Sequence, residues 1–275
     1  MTRGQLHSCH LDFVILVLHL YLLVERSLAI SMIIDGHVHI GVGNYFHMKA
    51  DVDQLLRLAD KVGVDKLFVT DLGSLFYDMS EGNDRLARDI AAHSDRLIGY
   101  CSVPTPRFGK RAVDEIRRCF EKHGFRGVKI YSHPEAPITE PAAYPLLESA
   151  AECGMLILSH TTPDECDHLM QNVPQARLVM AHMGGHPYAF GDWYRAVAVA
   201  KKHPNLLLDT ASSQIDNGML EWAVAELGPE KILYGSDMPL LDPFTQMAKV
   251  TGAELDDRAK SLILGDNLHR LLGLP

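Results

Sequence analysis

Residues 32–41 read MIIDGHVHIG, a short apolar run that is followed at once by two histidines one residue apart. An apolar run of this length that ends at a glycine is typical of a buried β-strand. Because side chains alternate across a strand, the H-x-H spacing places His37 and His39 on the same face. Two imidazoles held in this way form half of a site for a borderline divalent metal such as zinc. On its own, H-x-H is a weak signal, and the alternative interpretation is two polar residues in a loop.

The same alternation of apolar runs with helical stretches continues along the chain. Amphipathic helices lie between the runs; in residues 111–122, for example, Ala112, Ile116, Cys119 and Phe120 share one stripe. Eight strands, each followed by a helix, predict a (β/α)8 TIM barrel. A doubly wound sheet could use the same elements, but residues 36–39 replace the Gly-rich turn that nucleotide binding would need. The predicted strands are Met32–Asp35, Lys66–Thr70, Leu97–Ser102, Gly127–Ile130, Met155–Ser159, Arg177–Ala181, Leu206–Asp209 and Ile232–Gly235.

Three further polar residues follow predicted strands. His160 follows the fifth strand, His182 the sixth and Asp237 the eighth. A single histidine at a strand end is more often a satisfied polar residue than a ligand. A parallel barrel, however, brings the carboxyl ends of all its strands to one mouth, where active sites lie. The five residues together therefore predict a shared metal site.

This arrangement resembles the amidohydrolase superfamily. The contexts IIDGHVHIG, LILSHT, VMAHMGG and ILYGSDMP are similar to the branch that includes aminocarboxymuconate-semialdehyde decarboxylase and related lactone hydrolases. The ending GDNLHRLLG, residues 265–273, resembles the closing helix of that branch. The resemblance covers residues 33–273 and implies a metal-dependent TIM-barrel enzyme.

The resemblance also implies a role for each strand-end residue. His37, His39 and His160 would bind one divalent metal, and Asp237 would bind or contact it while serving as general base. His182 would hydrogen-bond the metal-activated water or polarise the substrate. Zinc is the expected ion, although manganese and iron also suit a histidine–aspartate site. A bound zinc ion can lower the pKa of its water to about 7.

Lys129 lies near the end of the fourth predicted strand. Some superfamily members carry a carbamylated lysine there that bridges two metals, so a second ion is expected only if Lys129 is carbamylated. In the branch suggested here one metal is expected. Lys129 would then contact the substrate or form a structural ion pair.

Four more residues are weaker candidates for orienting a metal ligand or for lining the substrate pocket. Asp35 shares the face of His37, so it either orients a ligand or is a buried aspartate bonded to the backbone. Arg107, His133 and His186 follow the third, fourth and sixth strands, where they either meet a substrate carboxylate or belong to loops at the rim.

The predicted function is hydrolysis of a C–O or C–N bond in a small organic acid, lactone or amide. The alternative is non-oxidative decarboxylation of an aromatic or muconate-type acid on the same metal site. Decarboxylases of the branch that this sequence resembles are usually longer and carry an arginine for the substrate carboxylate. Because this domain is compact, hydrolysis is favoured. A barrel that only binds a ligand is a third possibility, but the ligand set is complete in this sequence.

Composition sets limits on partners and compartment. The net charge is −9 and the lysines and arginines form no run, which argues against a nucleic-acid partner. The five cysteines are scattered without a C-x-x-C, which fits a reducing compartment, and a cytoplasmic location is expected. A small-molecule substrate is the expected partner, and a homodimer is a family-level expectation.

Residues 1–31 precede the domain pattern, which we assign to residues 32–275. Residues 11–24 are almost continuously apolar, but they fall short of the roughly 20 residues that span a bilayer. The segment is interpreted as a dispensable leader or a start codon assigned too early. A signal or membrane anchor and a packed extension remain as alternatives.

Overall fold

The structure, a computed structural model, describes residues 32–43, 48–104, 109–133, 136–186 and 188–274. Nine strands form one sheet in the order β2-β1-β3-β4-β5-β6-β7-β8-β9, and all neighbours are parallel except the hairpin pair β1 and β2. The strands are β1 (Ile34–Gly43), β2 (Met48–Ala50), β3 (Lys66–Asp71), β4 (Leu97–Val103), β5 (Gly127–Tyr131), β6 (Leu156–His160), β7 (Arg177–Met180), β8 (Leu206–Asp209) and β9 (Ile232–Leu233).

Helices alternate with these strands and cover the outside of the sheet. They are α1 (Val52–Val62), α2 (Leu72–Phe76), α3 (Met79–Ala92), α4 (Lys110–His123), α5 (Tyr144–Glu152), α6 (Pro163–Asn172), α7 (Trp193–Ala200), α8 (Met219–Leu227), α9 (Pro243–Thr251), α10 (Asp257–Ser261) and α11 (Asn267–Leu272). A π-helical turn over Leu262–Asp266 joins α10 to α11. None of the described helices combines the length and the apolar character needed to cross a bilayer.

Backbone hydrogen bonds close the parallel strands into a barrel. Gly36 N–H donates to the Tyr234 carbonyl at 2.9 Å, and Asp237 N–H donates to the His37 carbonyl at 2.8 Å. A bridge between Val38 and Met238 lies in the same seam. The predicted eight-stranded α/β barrel is therefore confirmed, and its seam joins the segments that carry the first histidines and the last aspartate.

Apolar side chains from successive strands fill the lower part of the barrel. Phe68 stacks on Tyr100 with ring centroids 3.5 Å apart, and both are buried beside Leu156 and Leu158. Leu268 of α11 packs into the same cluster, so the last helix closes the amino end of the barrel. The upper layer of the barrel is left for polar residues.

The strand boundaries differ from the sequence prediction at both ends of the seam. The first strand runs through the H-x-H motif to Gly43 rather than stopping at Asp35, with an irregular register between Asp35 and Val38. The eighth parallel strand, β9, keeps only two residues because the chain then turns towards Asp237. The sequence pattern does not predict the strand β2 or the helices α2 and α9.

Candidate active site

The predicted strand-end residues meet at the carboxyl end of the barrel. A cavity of about 350 Å³ opens there, and His39, Lys129, His160, His182 and Asp237 all line it. These five side chains and His37 are buried, with residue exposures between 0 and 8%. The sequence prediction that separate strands bring them to one mouth is thus seen in the fold.

Two imidazoles converge on one carboxylate oxygen. The Nε2 atoms of His37 and His39 lie 3.6 Å and 2.9 Å from Oδ1 of Asp237. This Oδ1 is buried and has no aligned hydrogen-bond donor. One ligand atom from each of these residues lies within 4.8 Å of the others. The arrangement is that of ligands facing a common point.

His37 is oriented from behind by an aspartate. Its Nδ1 lies 2.8 Å from Oδ2 of Asp209, the last residue of β8. With the proton held on Nδ1 by this carboxylate, Nε2 carries the lone pair towards Asp237 and Lys129. The Lys129 Nζ atom lies 3.0 Å from that Nε2.

His182 is held by its backbone and by its Nδ1. Its N–H donates to Oδ1 of Asp209 at 2.7 Å, and its Nδ1 lies 2.5 Å from the Ala211 carbonyl. Since a carbonyl only accepts, Nδ1 carries the proton and Nε2 is left unprotonated. His182 and Asp237 both have positive φ, 58° and 57°, which is costly for residues other than glycine and is common at functional sites.

His160 stands on the opposite side of the cavity from the seam. Its ring lies 4.7 Å from those of His182 and Tyr131, and its Nε2 is buried with no hydrogen-bond partner. It belongs to neither of the two groups of clustered ligand atoms, which are His37, His39 and Asp237, and His37, His182 and Asp209. Its Nε2 atom therefore faces the shared cavity and is available as a metal ligand.

Burial lowers the pKa of His37, His39 and His160 and so favours their neutral form. Desolvation, aided by the charge of Lys129, holds the pKa of His37 well below its usual value, and desolvation does the same for His160. For Asp237, burial alone would raise the pKa, but the contact with His39 and the positive charges nearby outweigh it and lower the pKa. Neutral imidazoles beside an ionised carboxylate are the form that binds a cation.

Lys129 is an amine buried at the floor of the cavity. Desolvation lowers its pKa to about 8, although Asp237 and Asp209 oppose that shift. It therefore remains largely charged at neutral pH. Among the described residues that line the cavity, it is the one with a full positive charge of its own.

The weaker candidates behave differently from one another. Asp35 accepts from the backbone N–H groups of His37 and Ser236, so it is the backbone-bonded buried aspartate of the two alternatives. His186 is half-buried, with its ring 5.2 Å from that of His160. His133 is exposed and is not among the residues that line the cavity. Arg107 lies outside the described residues, as do residues 1–31.

Two parts of the site were not predicted from the sequence. Asp209 ends a predicted strand just as His160 does, and that position was the available signal. The second is an apolar wall along one side of the cavity, formed by Leu72, Leu75 and Phe76 of α2 with Leu240 and Leu241. No periodic pattern marks so short a helix.

The residues fit a divalent cation. The unpaired His160 Nε2 and Asp237 Oδ1 are buried polar atoms, and such atoms are rare without a partner. Two or three imidazoles with one carboxylate are the donor set of catalytic zinc and of related metals. The fold and this donor set define a parallel-barrel enzyme with a histidine–aspartate centre for a divalent metal.

Comparison with known sequences gives the family. The sequence profile described as amidohydrolase matches residues 34–274, so the chain belongs to the amidohydrolase family. The suspected superfamily is thereby confirmed, and the chain is an enzyme of that superfamily.

Solved structures share the fold at low sequence identity. The 2,6-dihydroxybenzoate decarboxylase from Rhizobium aligns with a TM-score of 0.72 and 17% identity over 88% of this chain and 99% of its own. The dihydroxybenzoic acid decarboxylase from Polaromonas, solved with manganese and 2-nitroresorcinol, gives 0.70 and 15% over 88% and 97%. The 4-oxalomesaconate hydratase from Rhodopseudomonas palustris gives 0.67 and 17% over 88% and 96%.

Proposed function

We propose that this enzyme is a metal-dependent carboxy-lyase that removes CO2 from a small aromatic acid. The observation that carries the proposal is the division of the cavity into two halves. Five apolar side chains form one wall, and the histidine–aspartate cluster with Lys129 forms the other; Tyr131, Tyr188, Ala189 and Ser213 complete the lining. A planar ring with a carboxylate at one edge matches both halves at once.

The apolar wall supports an aromatic substrate. Leu72, Leu75 and Leu240 offer only methyl groups, and Phe76 adds a ring face. Such a surface gives no hydrogen bond to an amide or a sugar, but it removes the faces of a benzene ring from water. The cavity volume of about 350 Å³ is at the small end of ligand pockets, which suits a single ring.

The polar half would hold the cation and the charged end of the substrate. His37, His39, His160 and Asp237 are the proposed ligands. A divalent cation there supplies a Lewis acid for the oxygen atoms of the substrate. The Lys129 ammonium adds a second positive charge near the same edge of the ring, so an acid would be bound in preference to a neutral compound.

Decarboxylation requires one proton to reach carbon. The ring carbon that bears the carboxylate accepts a proton, the C–C bond to the carboxylate breaks, its electron pair returns to the ring, and CO2 leaves. His182 is our candidate for the proton carrier, because its Nδ1 is occupied by Ala211 and Nε2 is free to take up and release a proton. Asp237 is ionised and would stabilise the protonated imidazole.

The structural relatives support this reaction. Two of the three aligned enzymes are decarboxylases, and the alignment spans 97% or more of each of those two chains. This near-complete alignment with two decarboxylases supports decarboxylation over the hydrolysis expected from the sequence. Manganese is bound in the Polaromonas enzyme, so we propose manganese beside zinc as the ion of this site.

Hydrolysis is the second candidate, and one observation favours it. The pKa of Asp237 lies below its usual value, so its carboxylate is ionised and is in the form that can accept a proton from water. A hydrolase would use the Asp237 carboxylate to accept a proton from water in its first step. A decarboxylase would instead begin with a group that donates a proton to the ring carbon.

One assay separates the two reactions. Purified enzyme is supplied in parallel with zinc or manganese and incubated with hydroxybenzoic acids labelled with 13C at the carboxyl carbon, and released CO2 is measured. Lactones and amides are assayed beside them by acid release. Label in CO2, lost in Asp237→Asn and kept in the exposed control Asp53→Asn, supports the proposal. Acid release without CO2 would replace it with hydrolysis.

A further inference from the structure

We infer that Lys249 is a positioning residue for His182. It lies in α9, outside the cavity, and it acts through the three residues that follow β8. Its ammonium holds the carbonyls on either side of Ala211, and this aims the Ala211 carbonyl at the His182 ring. The part that concerns turnover rests on the proposed role of His182.

Lys249 and His182 bind three consecutive backbone carbonyls. Lys249 Nζ donates to the Thr210 carbonyl at 2.7 Å and to the Ser212 carbonyl at 2.5 Å. The carbonyl between them, that of Ala211, accepts from His182 Nδ1 at 2.5 Å. Three consecutive carbonyls are thus divided between a lysine on one side and the proposed proton carrier on the other.

Residues 210–212 form a tight backbone turn, which leaves the Ala211 carbonyl free to bind His182. Ser212 N–H donates to the Thr210 carbonyl at 2.7 Å, which makes a three-residue turn centred on Ala211. In such a turn the central carbonyl is left out of the turn's own hydrogen bond and is free for another donor. Gln246, one turn before Lys249 on α9, also donates to the Ser212 carbonyl at 3.1 Å. Two side chains of one helix therefore fix this turn.

The consequence for His182 is a single tautomer. A carbonyl fixed at Nδ1 requires the proton there and leaves the lone pair on Nε2. If the turn relaxed, Nδ1 would lose its acceptor and the other tautomer would become accessible. An enzyme that needs Nε2 to take up a proton would then start from the wrong form.

Lys231 is a matched control, because it also binds backbone carbonyls beside β8 but at the other end of the strand. Its Nζ donates to the carbonyls of His203 and Pro204, just before β8, and of Leu206, the first residue of β8. Burial lowers the pKa of Lys231, and it lowers the pKa of Lys249 to about 8. Both are half-buried lysines that bind carbonyls, but only Lys249 binds those next to the His182 acceptor.

The test reads the tautomer directly. Protein with 15N-labelled histidine and bound zinc is studied by long-range 1H–15N correlation, and His182→Gln assigns the signal. We expect the proton on Nδ1 in wild type and in Lys231→Met, and a mixture or the Nε2–H form in Lys249→Met. Lys249→Arg, which keeps the donors, should restore the wild-type pattern. An unchanged tautomer in Lys249→Met would overturn the inference.

Turnover then separates this inference from the proposed function. In Lys249→Met we expect kcat to fall about tenfold with little change in KM, whereas Lys231→Met keeps kcat. If the tautomer changes and kcat does not, the positioning role stands and the catalytic role of His182 fails. If Lys249→Met keeps both the tautomer and kcat, Lys249 serves stability alone and the inference is wrong.

Discussion

His37 Nδ1 and Asp209 Oδ2 lie 2.8 Å apart and join β1 to β8 inside the barrel. The other oxygen of Asp209 accepts the backbone N–H of His182 at 2.7 Å. One carboxylate therefore orients a proposed metal ligand and the proposed proton carrier together. Metal-binding histidines commonly have such a partner on the second nitrogen, and its loss weakens metal binding.

We expect Asp209→Asn to weaken metal binding about 10- to 100-fold, because the neutral amide no longer raises the basicity of His37. Zinc affinity is measured by competition with a chromogenic chelator. Asp53→Asn, an exposed change on α1, is the control and should bind zinc as wild type does. Equal affinities in all three proteins would mean that Asp209 serves only the fold.

His39→Ala should lose the metal and keep the fold. Its Nε2 is one of the two nitrogens that face Asp237 Oδ1, and alanine leaves the site one ligand short. Metal content is measured by plasma mass spectrometry and the helical signal by circular dichroism. His93→Ala, at the end of α3, is the matched change outside the cavity. Full metal content in His39→Ala would remove His39 from the ligand set.

Phe76→Ala tests the apolar wall. The side chain lines the cavity, and its contact with a ring is the same in the ground state and the transition state. We expect KM for an aromatic acid to rise about tenfold with kcat nearly unchanged. Tyr77→Ala, the next residue along and 58% exposed, does not line this cavity and should leave KM unaltered. A fall in kcat alone would place Phe76 in another role.

The sequence was enough to predict the strand ends because each one carries a side-chain signal. His160 and Asp237 follow apolar runs, and a parallel barrel leaves their positions little freedom. Asp209 carries the same signal, but it makes its contacts from behind the ligands and matches no local motif. Its role becomes visible only when His37 is placed in space.

The parts that the sequence did not predict depend on short elements and on backbone groups. The helix α2 has five residues, too few for a 3.6-residue period to appear. The acceptor of His182 is the carbonyl of Ala211, which has no side-chain signature at all. Arg107, which was expected either to meet a carboxylate or to belong to a rim loop, lies outside the described residues. Lys129 supplies a buried positive charge in the cavity, and its role as a substrate contact was one of two alternatives.

We expect the effects of substitutions at Asp71 and Arg85, which form an ion pair beside α2, on the free energy of unfolding to be non-additive. Arg85 reaches both oxygens of the fully buried Asp71 at 2.7 and 2.8 Å, and Asp71 also caps α2 through Gly73 N–H. Arg85→Met leaves a buried charge without its partner and should cost about 2 kcal/mol, discounted because Arg85 is 42% exposed. In urea unfolding, Asp71→Asn with Arg85→Met should cost less than the two single changes added. Strict additivity would show that the pair does not interact.

Asp167 gives a stability effect that depends on pH. The hydrogen bond from His203, with Lys202 nearby, lowers the pKa of Asp167 to about 2. Since the folded pKa is below the unfolded value, the stabilisation is present above about pH 4 and is lost as the pH falls towards 2. Asp167→Asn should therefore reduce the free energy of unfolding by about 1 kcal/mol at pH 7, after allowance for solvent screening, and by less at pH 3. Urea unfolding at both pH values measures the difference, and the titration of the Asp167 carboxyl by NMR checks its cause.

Asp164→Asn is the control. The ion pair of Asp164 with Arg195 is exposed, so this variant should show a smaller change in the free energy of unfolding at pH 7. A loss in Asp167→Asn that is the same at pH 7 and pH 3 would mean that the effect comes from packing and not from charge.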